Sequence, residues 1–127
     1  MITPEQLAKS GTEQGHQSAL FCWAAMNLDK YPELKWMHAI PNGGYRNKIE
    51  AARLKAAGVK AGVSDIFLPV SRGAYHGCYI EMKRPGEKAS IKQLEFGGYV
   101  RSKGYFFSVC DHWEKAVEEI KAYLTAK

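Results

Sequence analysis

No segment of the chain approaches the ~20 consecutive apolar residues of a membrane-spanning helix, so nothing in it reads as a transmembrane element. The opening residues, Met1-Ile-Thr-Pro-Glu-Gln6, lack the basic and apolar regions of a secretory signal. Cysteine is scarce. Cys22, Cys78 and Cys110 are odd in number and show no C-x-x-C spacing. That argues against a disulfide framework or a zinc site, and reads as small buried hydrophobes in a reducing, cytoplasmic compartment. A Gly-rich Walker-type loop is absent too, which disfavours a nucleoside triphosphate as substrate. No repeat, low-complexity tract or linker divides the 127 residues, and a single domain over 1–127 is expected. Such a domain buries about two-thirds of its unfolded surface. What the chain has in excess is positive charge: 18 Lys and Arg against 13 Asp and Glu, a net +5 and a pI of about 9.1. That balance favours a polyanionic partner without specifying one.

Two strands stand at the centre of the pattern. Gly77-Cys-Tyr-Ile-Glu-Met-Lys83 alternates, so Glu81 and Lys83 point one way while Ile80 and Met82 point the other. Val63-Ser-Asp-Ile-Phe-Leu-Pro-Val70 puts Ile66, Leu68 and Val70 on one face and Asp65 on the opposite one, near its start. Paired as a hairpin across Ser71–His76, the strands bring Asp65, Glu81 and Lys83 together. Two carboxylates can hold a hard divalent cation, and a lysine beside them can act on a water or a phosphate. Alternatively, an E-x-K on a half-exposed strand is two solvated charges.

The remaining elements follow from caps and periodicity. Thr3-Pro-Glu-Gln6 opens a short helix. A longer one is expected over about Thr12–Leu28, with an apolar stripe through Leu20, Phe21, Ala24 and Leu28 that projects back through Gln17 to Glu13. Glu13 either complements the helix dipole or reaches over the sheet towards the two strands. Lys35–Ile40 reads as a strand and Pro41-Asn-Gly-Gly44 as a turn, whose glycines would also let backbone approach a phosphate. A helix over Arg46–Ala57, closed by Gly58, carries a stripe of Ile49, Ala52 and Ala56 expected to pack inward, with Arg46 and Arg53 on one rim and Lys48 and Lys55 on the other. Arg84-Pro-Gly86 ends the Glu81 strand. Ser90 and Gln93 form a capping box for the next helix, Gly104 closes it, and Tyr105–Cys110 is a strand. Asp111 is expected to cap a last helix with Glu114 at its third position, burying Trp113, Ala116, Val117, Ile120 and Leu124. The order α-β-α-β-β-α-β-α describes an α/β fold, an α+β mixed sheet flanked by helices.

Ser64-Asp65 followed by Glu81-Met-Lys83 resembles the P-D…(D/E)-x-K signature of restriction-endonuclease-like nucleases, with Ser64 where that signature has proline. The surrounding residues tighten the match. Thr12-Glu13 with Gln17, Ala39–Gly44, Arg46, Gly58–Asp65, Leu68-Pro-Val70, Tyr75-His-Gly77, Ile80–Lys83, and Ser90 with Gln93 follow in order. Together they resemble the VRR-NUC (virus-type replication-repair nuclease) domain in its small stand-alone form. The resemblance implies that Glu13, Asp65 and Glu81 hold a metal together with the backbone carbonyl of Met82. It implies that Lys83 is the catalytic lysine and that Gln93 is the glutamine of the following helix. It also implies a restriction-endonuclease-like core and a homodimer acting on branched DNA such as four-way junctions.

The residue types suit that chemistry. Magnesium or manganese takes oxygen ligands and keeps several waters, while Lys83 can orient a water or steady a growing anion. DNA contacts are expected from Asn42, Gly43, Gly44, Arg46 and Arg53, with His16 beside Glu13 as a further one. No histidine is required by the reaction, and His38, His76 and His112 read as structural or solvated. Two other classes fit the same sequence less well. One is a non-catalytic DNA-binding module with the same basic rims, although a binder gains nothing from acids facing phosphate. The other is a metal-dependent hydrolase of a small phosphoester.

Overall fold

A computed structural model of the chain describes residues 1–41 and 47–126. Its elements are α1 (Pro4–Ala8), α2 (Glu13–Met26), a 3-10 turn (Pro32–Trp36), β1 (His38–Ala39), α3 (Lys48–Ala56), β2 (Ile66–Leu68), β3 (Cys78–Met82), α4 (Ile91–Ser102), β4 (Phe106–Cys110) and α5 (Trp113–Thr125). The four strands form one mixed sheet in the order β1-β2-β3-β4. β2 runs antiparallel to both β1 and β3, with Ile66 opposite Ile80 and Leu68 opposite Cys78. β4 returns parallel to β3, with Ile80 beside Ser108 and Met82 beside Cys110. Parallel neighbours need a crossover, and α4 supplies it. The mixed sheet flanked by helices is the expected fold class.

One face of the sheet is the core. Ile66, Leu68, Cys78, Ile80 and Met82 are buried there against Ala19, Leu20 and Ala24 of α2 and Ala116, Val117, Ile120 and Leu124 of α5. Burying an Ile or Leu side chain of this kind contributes roughly 1.5–3 kcal/mol. Cys78 and Cys110 behave as the small hydrophobes the sequence suggests, and burial pushes the Cys78 thiol up to about 12. On the opposite face α4 seats Gly97 directly on the Phe107 ring, where any β-carbon would collide. Phe96 meets Tyr79 edge-on at 5.2 Å between ring centroids.

The local signals hold at most helix ends. Thr3 with Gln6 and Ser90 with Gln93 both form complete capping boxes. α5 buries the five predicted residues and adds Tyr123, whose hydroxyl donates to the Val70 carbonyl at 2.5 Å.

Four expectations need correction. α5 is capped by His112, whose Nδ1 accepts from the Glu114 N–H, while Asp111 instead accepts from the Gly86 N–H and pairs with Lys115. Lys35 and Trp36 lie in the 3-10 turn that Pro32 initiates, which shortens the predicted strand to two residues. The buried stripe of α2 runs His16, Ala19, Leu20, Ala24, and Leu28 lies beyond the helix end, exposed. The α3 stripe does not pack inward. None of its residues is buried, and Ile49 is 77% exposed.

Candidate active site

The β2–β3 register, carried one residue beyond Ile66 and Ile80, sets Asp65 opposite Glu81, and the ladder then departs from regular pairing. The register would set Ser64 opposite Met82 if the ladder continued beyond Ile66 and Ile80. Instead the Met82 N–H donates to Oδ2 of Asp65 at 2.8 Å. The carbonyl of Asp65 accepts from the Ile40 N–H at 2.6 Å, so Asp65 is held through both its backbone and its side chain. Ser64, in the place where the nuclease signature has proline, is buried with its hydroxyl unpartnered among the described residues.

Glu81 lies one residue short of the β3 end and is fully buried. Its Oε2 accepts from Nε2 of Gln93 at 3.1 Å, while its Oε1 is buried without a hydrogen-bond partner among the described residues. Glu13 joins from the first position of α2, set there by Thr12, whose hydroxyl accepts from the Gly15 N–H at 2.9 Å. Oxygens of Glu13, Asp65 and Glu81 all lie within 4.8 Å of one another. Such crowding is costly for the charged forms. Burial, followed by the Asp65 carboxylate beside it, pushes Glu81 up to about 9. Glu13 is raised by burial and then by Asp65, with Lys83 acting in the opposite sense.

This donor set fits a hard divalent cation. Three converging carboxylates, one carrying a buried oxygen that no donor among the described residues satisfies, match the oxygen preference of magnesium or manganese and leave room for water. A cation there would answer the unpartnered oxygen and remove the mutual repulsion.

Gln93 reconciles two readings of the sequence. Its Oε1 accepts from the Ser90 N–H at 2.7 Å, closing the capping box, and its Nε2 orients Glu81. One side chain therefore starts α4 and fixes an acid of the cluster. Met82 turns its side chain into the core. Lys83 extends β3 with an N–H bond to the Cys110 carbonyl at 2.9 Å and is buried, with its charge close enough to lower the carboxyl groups of Glu13 and Glu81.

The predicted DNA contacts separate into three groups. Arg53 is exposed on α3. Asn42, Gly43, Gly44 and Arg46 lie outside the described residues. His16 is a correction: it is only 3% exposed, and its Nδ1 accepts the Trp113 N–H at 3.1 Å, tying α2 to the start of α5. A ring so enclosed cannot reach DNA. Glu87 was not singled out from the sequence, although Pro85-Gly86 is a turn that folds the chain back on Lys83. Its Oε1 lies 4.0 Å from Lys83 Nζ.

Comparison with known proteins agrees with this geometry. The model of the VRR-NUC domain family matches residues 4–113. The chain belongs to the VRR-NUC family. A solved structure described as a VRR_NUC domain protein is 30% identical, superposes with a TM-score of 0.77, and is matched over 91% of both chains. A search of curated proteins returned no match. VRR-NUC domains are nucleases, so this chain is a DNA-processing nuclease domain, and the Glu13–Asp65–Glu81 cluster lies within the matched span.

Proposed function

We propose that this VRR-NUC chain is a divalent-metal-dependent DNA endonuclease, structure-specific for branched DNA such as four-way junctions, and active as a homodimer. The observation that carries the metal dependence is the buried Oε1 of Glu81, unpartnered among the described residues, inside a three-carboxylate cluster. Glu13, Asp65, Glu81 and the Met82 carbonyl would hold magnesium or manganese. When bound, such a cation neutralises the acids towards phosphate and makes a water acidic enough to serve as nucleophile near neutral pH.

The other roles belong to the chain's own groups. Lys83 offers a compact charge with three donors, suited to a phosphate oxygen whose charge grows during cleavage. Gln93 keeps Glu81 in one orientation. Arg53 and Arg46, with Asn42, Gly43 and Gly44, are assigned to the DNA backbone, where cationic contacts supply affinity without sequence preference. The homodimer follows from need: one small domain offers one site, and symmetric cutting of a four-way junction requires two, related by a two-fold axis.

The test is incubation of the pure protein with labelled four-way junction, flap, single-strand and linear duplex DNAs, in magnesium, manganese or excess chelator. Junction cutting that needs a metal, by a species that sediments as a dimer at micromolar concentration, is expected. Undiminished cutting in chelator, or no cutting of any substrate, would reject the reading.

A further inference from the structure

A lysine two residues from Glu81 on the same strand face is the natural occupant of a metal-free acid cluster. Three crowded carboxylates attract the nearest ammonium, and a salt bridge formed there would both block a cation and neutralise the lysine. Lys83 does not make that bridge. Among the described residues, the carboxylate within ion-pair range of its Nζ is Glu87, at 4.0 Å.

Glu87 is delivered to that place by a built turn. Gly86 adopts φ +84°, a conformation that favours glycine, and the Glu87 N–H closes on the Arg84 carbonyl at 3.0 Å. Asp111, just beyond β4, clamps the turn from outside. Its Oδ2 accepts the Gly86 N–H at 3.1 Å and its Oδ1 holds Lys115 at 2.7 Å. Arg84 Nε meets the other oxygen of Glu87 at 3.4 Å. The charge of Glu87 is felt in the cluster, where it adds to the raising of Glu13.

We propose that Glu87 is a positioning residue for Lys83: it holds the ammonium out of the Glu13–Asp65–Glu81 cluster, so that a divalent cation and not the lysine occupies it. The inference rests on the metal-dependent reading of the site. It predicts an energetic coupling between Glu87 and Lys83 that appears in metal affinity, before any DNA is present.

The experiment is a double-mutant cycle read by Mn2+ binding, using calorimetry on the wild type, Glu87→Ala, Lys83→Ala and the double variant. Glu87 sits on a half-exposed turn, and thermal melts confirm that each variant is folded. Glu87→Ala should weaken Mn2+ binding about tenfold, the lower end of the loss seen when a residue supporting a metal ligand is removed. Removing Lys83 as well should restore affinity to about that of Lys83→Ala alone, and Glu87→Asp should recover part of the loss. Equal weakening with and without Lys83 would mean that Glu87 acts through its own charge or as a ligand, and would overturn the proposal. So would unchanged affinity in Glu87→Ala. Failure of the wild type to bind Mn2+ would overturn the metal reading and the positioning role together, whereas binding without coupling would overturn only the latter.

Discussion

Nε2 of Gln93 lies 3.1 Å from Oε2 of Glu81, while the carbonyl of the same amide accepts the Ser90 N–H at 2.7 Å. The start of α4 and the orientation of a metal-site acid thus share one side chain. Replacing Gln93 with Ala should cost about 0.5–1 kcal/mol of stability through the broken capping box. It should lower single-turnover cleavage by roughly 10- to 100-fold, as expected when a group orienting a ligand is lost. Gln93→Glu can still close the box but sets a fourth carboxylate against Glu81. It should preserve the melting temperature better than Gln93→Ala and cleave no faster. Cleavage by Gln93→Glu at the wild-type rate would show that the contact with Glu81 is idle.

Asp65 and Lys83 should fail in different ways. Asp65→Ala removes one carboxylate of the cluster and the acceptor for the Met82 N–H, so metal binding and cleavage should disappear together. Lys83→Ala leaves every oxygen ligand in place. Metal affinity should persist while cleavage falls by roughly 10²-fold or more, the scale of losing a donor to a developing anion. Calorimetric metal titration beside single-turnover cleavage separates the two, and near-wild-type cutting by Lys83→Ala would remove it from the chemistry.

The raised carboxyl of Glu81 makes the metal-free protein sensitive to alkali. Its folded value of about 9 lies above the ordinary carboxylate range, so between those limits the folded state binds a proton that the unfolded chain has released. Stability is therefore full at the acid end of that window and declines as pH rises towards 9. His16 opposes this below its ordinary value: burial holds its pKa down, so its contribution is lost as the ring is forced to protonate in acid. Glu81→Gln isolates the first effect, because its amide can donate to the acids beside it. In chelator, the melting temperature of Glu81→Gln should exceed that of the wild type by a few degrees at pH 8, and the gap should close towards pH 5. A gap independent of pH would contradict the assignment.

Arg46 and Arg53 should contribute affinity and no chemistry. Replacing both with Ala should reduce the slope of log affinity against log salt by roughly one to two phosphate contacts, measured in calcium. An unchanged slope would move the DNA track away from α3.

Much of this site was legible in the chain because strand alternation is rigid. Given the β2–β3 pairing, period two leaves Asp65 and Glu81 no choice but the face opposite Ile66 and Ile80. The caps of α1 and α4 were legible because each is satisfied within four residues. What failed depended on neighbours. A helical stripe does not say what covers it: the small residues of α3 have the spacing of an inward face, yet none of them is buried. In α2 two stripes a single position apart both contain Leu20 and Ala24, and only packing against α5 chose the one that encloses His16. The second bond of Gln93 and the return of Glu87 to Lys83 join residues whose meeting depends on how turns and crossovers close in space.

The ladder between β2 and β3 ends on a carboxylate. The Met82 amide proton, donated to Oδ2 of Asp65, is therefore a reporter built into the backbone of the site. A cation drawing electron density from Asp65 would weaken that bond and move the amide resonance of Met82, and loss of the carboxylate would leave the proton open to exchange with solvent. In an isotope-labelled sample, this one backbone signal would read the loading of the site without DNA and without turnover.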